Sequence, residues 1–151
     1  VNPPLRGRAD VGEIKRALCQ GVIDCISTDH APHHRDEKNV EFSLAASGIS
    51  GLETSFALCY TQLVRGGLIE FPRLLEMMSV SPARIAGLPA GSLKPGMPAD
   101  IAIADLDSPF KIDVNKFYSK GKNNPFDGRE AYGKIKYTLL EGKIVYKSEK
   151  E

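Results

Sequence analysis

Apolar positions along the chain first follow a helical period and then, past residue 88, a period of two. Ile14, Ala17 and Leu18 share one face of a helix predicted over residues 9–21. Asp10 and Glu13 form a D-x-x-E box at its start, and Gly21 suits the position just past its last turn. Val22–Ile26 is a short apolar run rich in β-branched residues, interrupted by Asp24, and it reads as a buried parallel strand. Helix followed by buried strand is half of an α/β repeat. A second amphipathic helix is predicted over 53–65, with Phe56, Cys59, Tyr60, Leu63 and Val64 inward and Gly66-Gly67 as its stop. A shorter helix follows near 72–79. Ser81 is expected to cap another, with Pro82 at its first position, where a missing amide costs nothing, and Gly87 ends it.

Residues 88–98 are rich in Gly and Pro and form a turn-rich linker. Beyond them Ile101 and Ile103 alternate with small residues. Lys136–Leu140 and Lys143–Lys147 flank Glu141-Gly142, a compact hairpin signal. The pattern predicts two parts, an α/β part over 1–88 and a β-rich part over 89–151.

Composition narrows the function classes. The chain has 151 residues, 42% hydrophobic and 26% charged, which fits a globular protein. With 20 basic and 19 acidic residues the net charge is +1, so neither nucleic acid nor a membrane surface is an expected partner. No apolar run approaches the roughly 20 residues of a membrane span. Val1-Asn2-Pro3-Pro4 has neither the basic nor the apolar region of a secretory signal and reads as a cut end. The three cysteines form no Cys-x-x-Cys pair, which points to reduced thiols and a cytoplasmic setting.

The densest chemistry follows the predicted strand. Asp29-His30-Ala31-Pro32-His33-His34 holds a carboxylate and all three histidines within six residues. At the C-terminal end of a parallel strand, where α/β barrels place their chemistry, such a group can bind a metal, move protons or grip an anion. The alternative is a plain polar loop. Four ligands from one such loop are sterically awkward, because successive extended residues point apart, and no second cluster exists to complete a zinc site. Asn2-Pro3-Pro4-Leu5-Arg6 is either a rigid substrate-orienting loop or an ordinary connector, the latter favoured by the residues alone. Gly48 allows close backbone approach or simply a turn. Lys111–Lys122 reads as solvated surface.

Taken together, Asn2–Arg6 (NPPLR), Ser27–His33 (STDHAPH) and Gly48–Thr54 (GISGLET) resemble three motifs of the class I dihydroorotases, within the amidohydrolase superfamily. Ser81–Arg84, Gly91–Gly96 with Ala99-Asp100, and Lys120–Gly128 resemble that family's later segments in order. The resemblance implies the C-terminal part of a (β/α)8 TIM-type barrel over 1–88 and a small composite β-sandwich over 89–151. It implies zinc-dependent interconversion of L-dihydroorotate and N-carbamoyl-L-aspartate, a step of pyrimidine synthesis, with one or two zinc ions. Asp29 matches the aspartate that touches the metal and serves as general base and acid. Asn2, His33 and the backbone at Ser47 and Gly48 match substrate-binding positions, whereas His30 and His34 match no ligand. Ala46-Ser47 departs mildly from the family pattern, which often has Pro followed by Phe or Ser.

The His-x-His, the bridging Lys or Asp and two further histidines of the pattern are absent. The expected partners are therefore a small-molecule substrate and the missing N-terminal portion of the enzyme, in a homo-oligomer that also admits aspartate transcarbamoylase. A barrel takes about 250 residues, so the isolated chain is expected to be inactive and to hold no zinc stably. Competing readings are an allantoinase or hydantoinase, a non-catalytic scaffold that binds aspartate transcarbamoylase, and a small free-standing zinc domain.

Overall fold

The computed structural model describes residues 1–148, so the last three residues of the predicted 89–151 part lie outside it. Helix α1 spans Arg8–Cys19. It starts earlier than the D-x-x-E box suggests, because Gly7 occupies the cap and Asp10 sits three residues inside. There the Asp10 carboxylate accepts from the Gly7 amide at 3.2 Å, holding an otherwise orphan donor. The helix stops as predicted at Gly21 (φ +74°). Gly21 N–H donates to the Leu18 carbonyl and Val22 N–H to that of Ala17, the paired bonds of a left-handed helix end. Leu18 is buried, but Ile14, predicted inward, stays exposed.

Residues 22–29 form no strand, contrary to the expectation for Val22–Ile26. A parallel strand exists only through ladders to its neighbours, and no described residue runs alongside this one. Val22 is 68% exposed as a result. The segment is held instead by Ile26 N–H donating to the Met77 carbonyl at 3.1 Å and by Arg73 Nη2 donating to the Ile23 carbonyl at 2.9 Å.

A short helix α2 spans Arg35–Lys38. The helix predicted over 53–65 forms in three joined pieces: a 3-10 turn Leu52–Thr54, helix α3 Ser55–Cys59 and a π-helical turn Tyr60–Val64. Gly67 (φ +71°) ends it, as its sequence predicts. Helix α4, Phe71–Leu75, passes through a second π-turn, Glu76–Val80, into α5, Ser81–Ala86. Ser81 is therefore not a cap but lies within continuous helix, buried. Its amide bonds the Glu76 carbonyl five residues back, and this wider turn precedes Pro82, which has no amide to give. Gly87 (φ +66°) closes α5.

After the irregular linker, β1 (Ile101–Asp105) and β5 (Lys143–Lys147) flank β4 (Lys134–Leu140) in an antiparallel sheet of order β1-β4-β5. Glu141 and Gly142 both have positive φ (50° and 78°), the turn whose twist suits a two-residue hairpin. A small pair, β2 (Phe110–Lys111) with β3 (Glu130–Ala131), is not visible in the periodicity. This pair and the residue after β2 build one core cluster. Buried Ile112 and Ala131 meet Ala57 of α3, with Leu58, Phe110, Phe117 and Phe126 around them. The core thus draws on residues from both sides of position 88.

Candidate active site

Backbone geometry sets the polar run after residue 26. Asp29 has a positive φ of 44°, a region that Asp tolerates better than most residues and that recurs where structure over-determines a functional position. His30 and Ile49 then form a parallel bridge, with Ala31 N–H donating to the Ile49 carbonyl at 2.9 Å. This bridge brings Asp29 alongside Ser47-Gly48.

Each histidine has a local task. His30 Nδ1 accepts from the amides of Gly51 and Leu52, both at 3.1 Å, where the 3-10 turn begins. His34 Nδ1 accepts from Asp36 N–H, while the Glu37 carboxylate accepts from His34 N–H at 3.1 Å, closing the start of α2. His33 Nε2 lies 2.9 Å from the Ser47 carbonyl; a carbonyl only accepts, so Nε2 carries the proton.

The segment 46–48 is held from several sides. Lys38 Nζ donates to the carbonyls of Ala46 and Gly48, and Asn123 Nδ2 reaches the latter at 3.4 Å. Gly48 has φ +143°, and a Cβ there would lie 2.6 Å from the Ala31 carbonyl oxygen and 2.9 Å from His33 Nε2. Close approach is therefore real, but to the chain's own backbone. The amides of Ser47 and Gly48 find no acceptor among the described residues.

Asn2, Thr28, Asp29, Ser47 and Gly48 line one cavity of about 260 Å³, walled by the apolar Val1, Leu5 and Ile49. Four of the five predicted site residues thus meet at one place. His33 does not line it and reaches it only through Ser47. The Asp29 side chain is exposed and has no hydrogen-bond or ion-pair partner among the described residues.

Sequence reasoning missed the residues that brace this cavity. Ser50 Oγ donates to the Gly121 carbonyl at 2.7 Å, and Ser50 N–H to that of Asn123. Asn124, 8% exposed, donates to the Ser50 carbonyl and accepts from Phe126 N–H at 2.8 Å. The Glu53 carboxylate takes the amides of Tyr118 and Ser119. The motifs Gly48–Thr54 and Lys120–Gly128 contain most of these groups, but nothing in the residues alone says that they meet.

A zinc ion needs three or four ligands converging on one point. Among the described residues no three His, Cys, Asp or Glu side chains do so, and Asp29 stands without a second ligand. The described residues do not by themselves fit a zinc site.

The amidohydrolase family model matches residues 3–145, and the chain belongs to that family. Among its curated relatives are dihydroorotases from Acetivibrio thermocellus, 51% identical over 96% of this chain, and Geotalea daltonii, 49% identical over 97%. In each case the match covers 34% of the relative, so the chain spans about a third of their length. Among solved structures, an L-hydantoinase (dihydropyrimidinase) from Arthrobacter aurescens superposes with a TM-score of 0.90 at 34% identity, over 97% of this chain and 34% of its own. A D-hydantoinase (dihydropyrimidinase) from Thermus sp. gives 0.89 at 28%, over 97% and 33%. No helix among the described residues is long and apolar enough to cross a membrane.

Proposed function

We propose that the chain is the C-terminal third of a dihydroorotase and supplies that enzyme's proton-transfer carboxylate, Asp29. The observation that carries this reading is the convergence of Asn2, Asp29, Ser47 and Gly48 on one small cavity. In this reading residues 1–88 complete a (β/α)8 barrel and 89–151 belong to a small β-sandwich domain. The relatives' name supplies the substrate, L-dihydroorotate.

The chemistry of these residues suits a cyclic amide. As water attacks the ring carbonyl, Asp29 accepts its proton. The carbon–nitrogen bond then breaks, and Asp29 returns the proton to the nitrogen, leaving a terminal carbamoyl group and a carboxylic acid that gives its remaining proton to solvent. Asn2 and the unengaged amides of Ser47 and Gly48 are donors that orient anionic and carbonyl oxygens. His33 acts through Ser47, since its Nε2–H is already given to that carbonyl. The zinc that the family resemblance calls for finds its remaining ligands outside these 151 residues.

The test joins this chain to the remaining two thirds of the Acetivibrio thermocellus relative and measures dihydroorotate hydrolysis with zinc supplied. The joined enzyme turns over, and Asp29→Asn lowers kcat by about 10²–10⁴-fold, the range of general acid–base contributions. An Asp29→Asn enzyme with unchanged kcat overturns the assignment. The hydantoinase neighbours favour a second reading, another cyclic amide as substrate. Faster turnover of hydantoin or allantoin than of dihydroorotate by the same enzyme selects it. A scaffold role predicts instead an inactive product that still binds aspartate transcarbamoylase.

A further inference from the structure

A second cavity, of about 470 Å³, is joined to the candidate site through the His33–Ser47 hydrogen bond. Arg35, Lys38, Lys120 and Lys122 line it together with His33, and no carboxylate does. Two segments distant in sequence build its walls, residues 35–39 and 120–123. They meet through Gly48, whose carbonyl accepts from both Lys38 Nζ and Asn123 Nδ2, and the second wall is anchored further. Ser50 grips the carbonyls of Gly121 and Asn123, and Gly121 packs so closely on Pro32 that a Cβ would lie 2.6 Å from the Pro32 Cβ.

Among the described residues the four cations are not neutralised by ion pairs. Lys38 is fixed by the carbonyls of Ala46 and Gly48, and Lys122 by that of Phe117 at 2.6 Å, all uncharged acceptors. The side chains of Arg35 and Lys120 have no hydrogen-bond or ion-pair partner among the described residues. The nearby acids lie outside the cavity lining: the Glu37 carboxylate accepts from the His34 amide, and Asp36 is exposed to solvent. Lysines on an ordinary solvated surface spread apart. Here four like charges share one walled space, and their mutual repulsion falls when an anion enters.

We propose that this cavity binds a small dianion, a dicarboxylate or a phosphate. Arg35 and Lys120 supply the free charge, and Lys38 and Lys122 supply fixed charge behind them. The link to the candidate site through His33 rests on the dihydroorotase reading, whereas the binding of a dianion does not.

The experiment titrates the 151-residue chain with inorganic phosphate and with succinate, followed by amide NMR shifts. Acetate and chloride at matched ionic strength serve as references. At least one dianion saturates, shifts residues 35–39 and 120–123, and binds more tightly than acetate. The Arg35→Gln/Lys120→Gln variant weakens that binding about a hundredfold, since it removes two charge-assisted contacts worth about tenfold each. Both substituted side chains are unpartnered, so circular dichroism of the variant matches the parent. Saturation by succinate alone assigns the site to dicarboxylates, and by phosphate alone to phosphates. Dianion shifts no larger than those of chloride, or equal affinity in the double variant, overturn the proposal, whatever the Asp29→Asn assay returns.

Discussion

Replacing Gly48 by alanine tests whether the 46–48 segment is held as tightly as its contacts imply. At φ +143° an L-residue is strained, which costs about 1–3 kcal/mol. The new methyl would also stand 2.6 Å from the Ala31 carbonyl oxygen and 2.8 Å from the Ala31 Cβ. Those atoms belong to a backbone tied to Ile49 and cannot swing aside like the end of a flexible side chain. Overpacking of this kind adds about 1–3 kcal/mol. The sum is a loss of about 2–6 kcal/mol from a total stability of order 5–15 kcal/mol. Gly12 provides the internal control. It lies within α1, and a Cβ there meets nothing within 4 Å. Gly12→Ala should therefore stabilise by about 0.5–1 kcal/mol, through helix propensity alone. Urea unfolding followed by circular dichroism measures both variants. Opposite signs support the reasoning. A Gly48→Ala loss under about 1 kcal/mol, or the same sign for both, refutes it, because the backbone would then have yielded where the contacts say it cannot.

Asn124 is the buried brace between the 47–54 segment and the loop before β3. Asn124→Ala leaves the Phe126 amide and the Ser50 carbonyl without their partner and should cost about 2–4 kcal/mol in the same unfolding assay, whereas a cost near zero would show the brace to be redundant. Burial raises the Cys59 thiol above its ordinary value of 9.0, keeping it protonated and slow to react, while Cys19 is exposed. Iodoacetamide at mildly alkaline pH should label Cys19 first and Cys59 only on unfolding. Mass spectrometry that finds Cys59 modified as fast as Cys19 in the folded chain contradicts that burial.

What the sequence made legible were features decided within a few residues. Gly21, Gly67 and Gly87 each end a helix with positive φ, because only glycine adopts that backbone without cost. Glu141-Gly142 turns the hairpin for a related reason. What stayed hidden was decided by distant residues. Val22–Ile26 has strand composition, yet composition cannot supply the neighbouring ladder that makes a strand. Ile14 shares an apolar face with Leu18, yet packing reaches Leu18 and leaves Ile14 exposed. Lys120 and Lys122 read as solvated charges, and only the fold places them beside Arg35 and Lys38.

The same distinction explains the polarity of the candidate site. Its one carboxylate, Asp29, follows from a motif that the sequence displays. Its donors follow from a subtraction that only the structure performs. Lys38 occupies the carbonyls of Ala46 and Gly48, and His33 occupies that of Ser47. Three successive acceptors are thereby withdrawn, while the amides of Ser47 and Gly48 remain unengaged. A backbone segment that would otherwise present both signs is left presenting donors beside a single proton acceptor. That pairing suits a substrate carrying carbonyl or carboxylate oxygens next to a nitrogen that must gain a proton. His33 and Lys38 thus shape the site without facing its cavity. On the dihydroorotase proposal, His33→Ala or Lys38→Ala in the joined enzyme should raise KM before it lowers kcat, and a kcat loss at unchanged KM refutes that role.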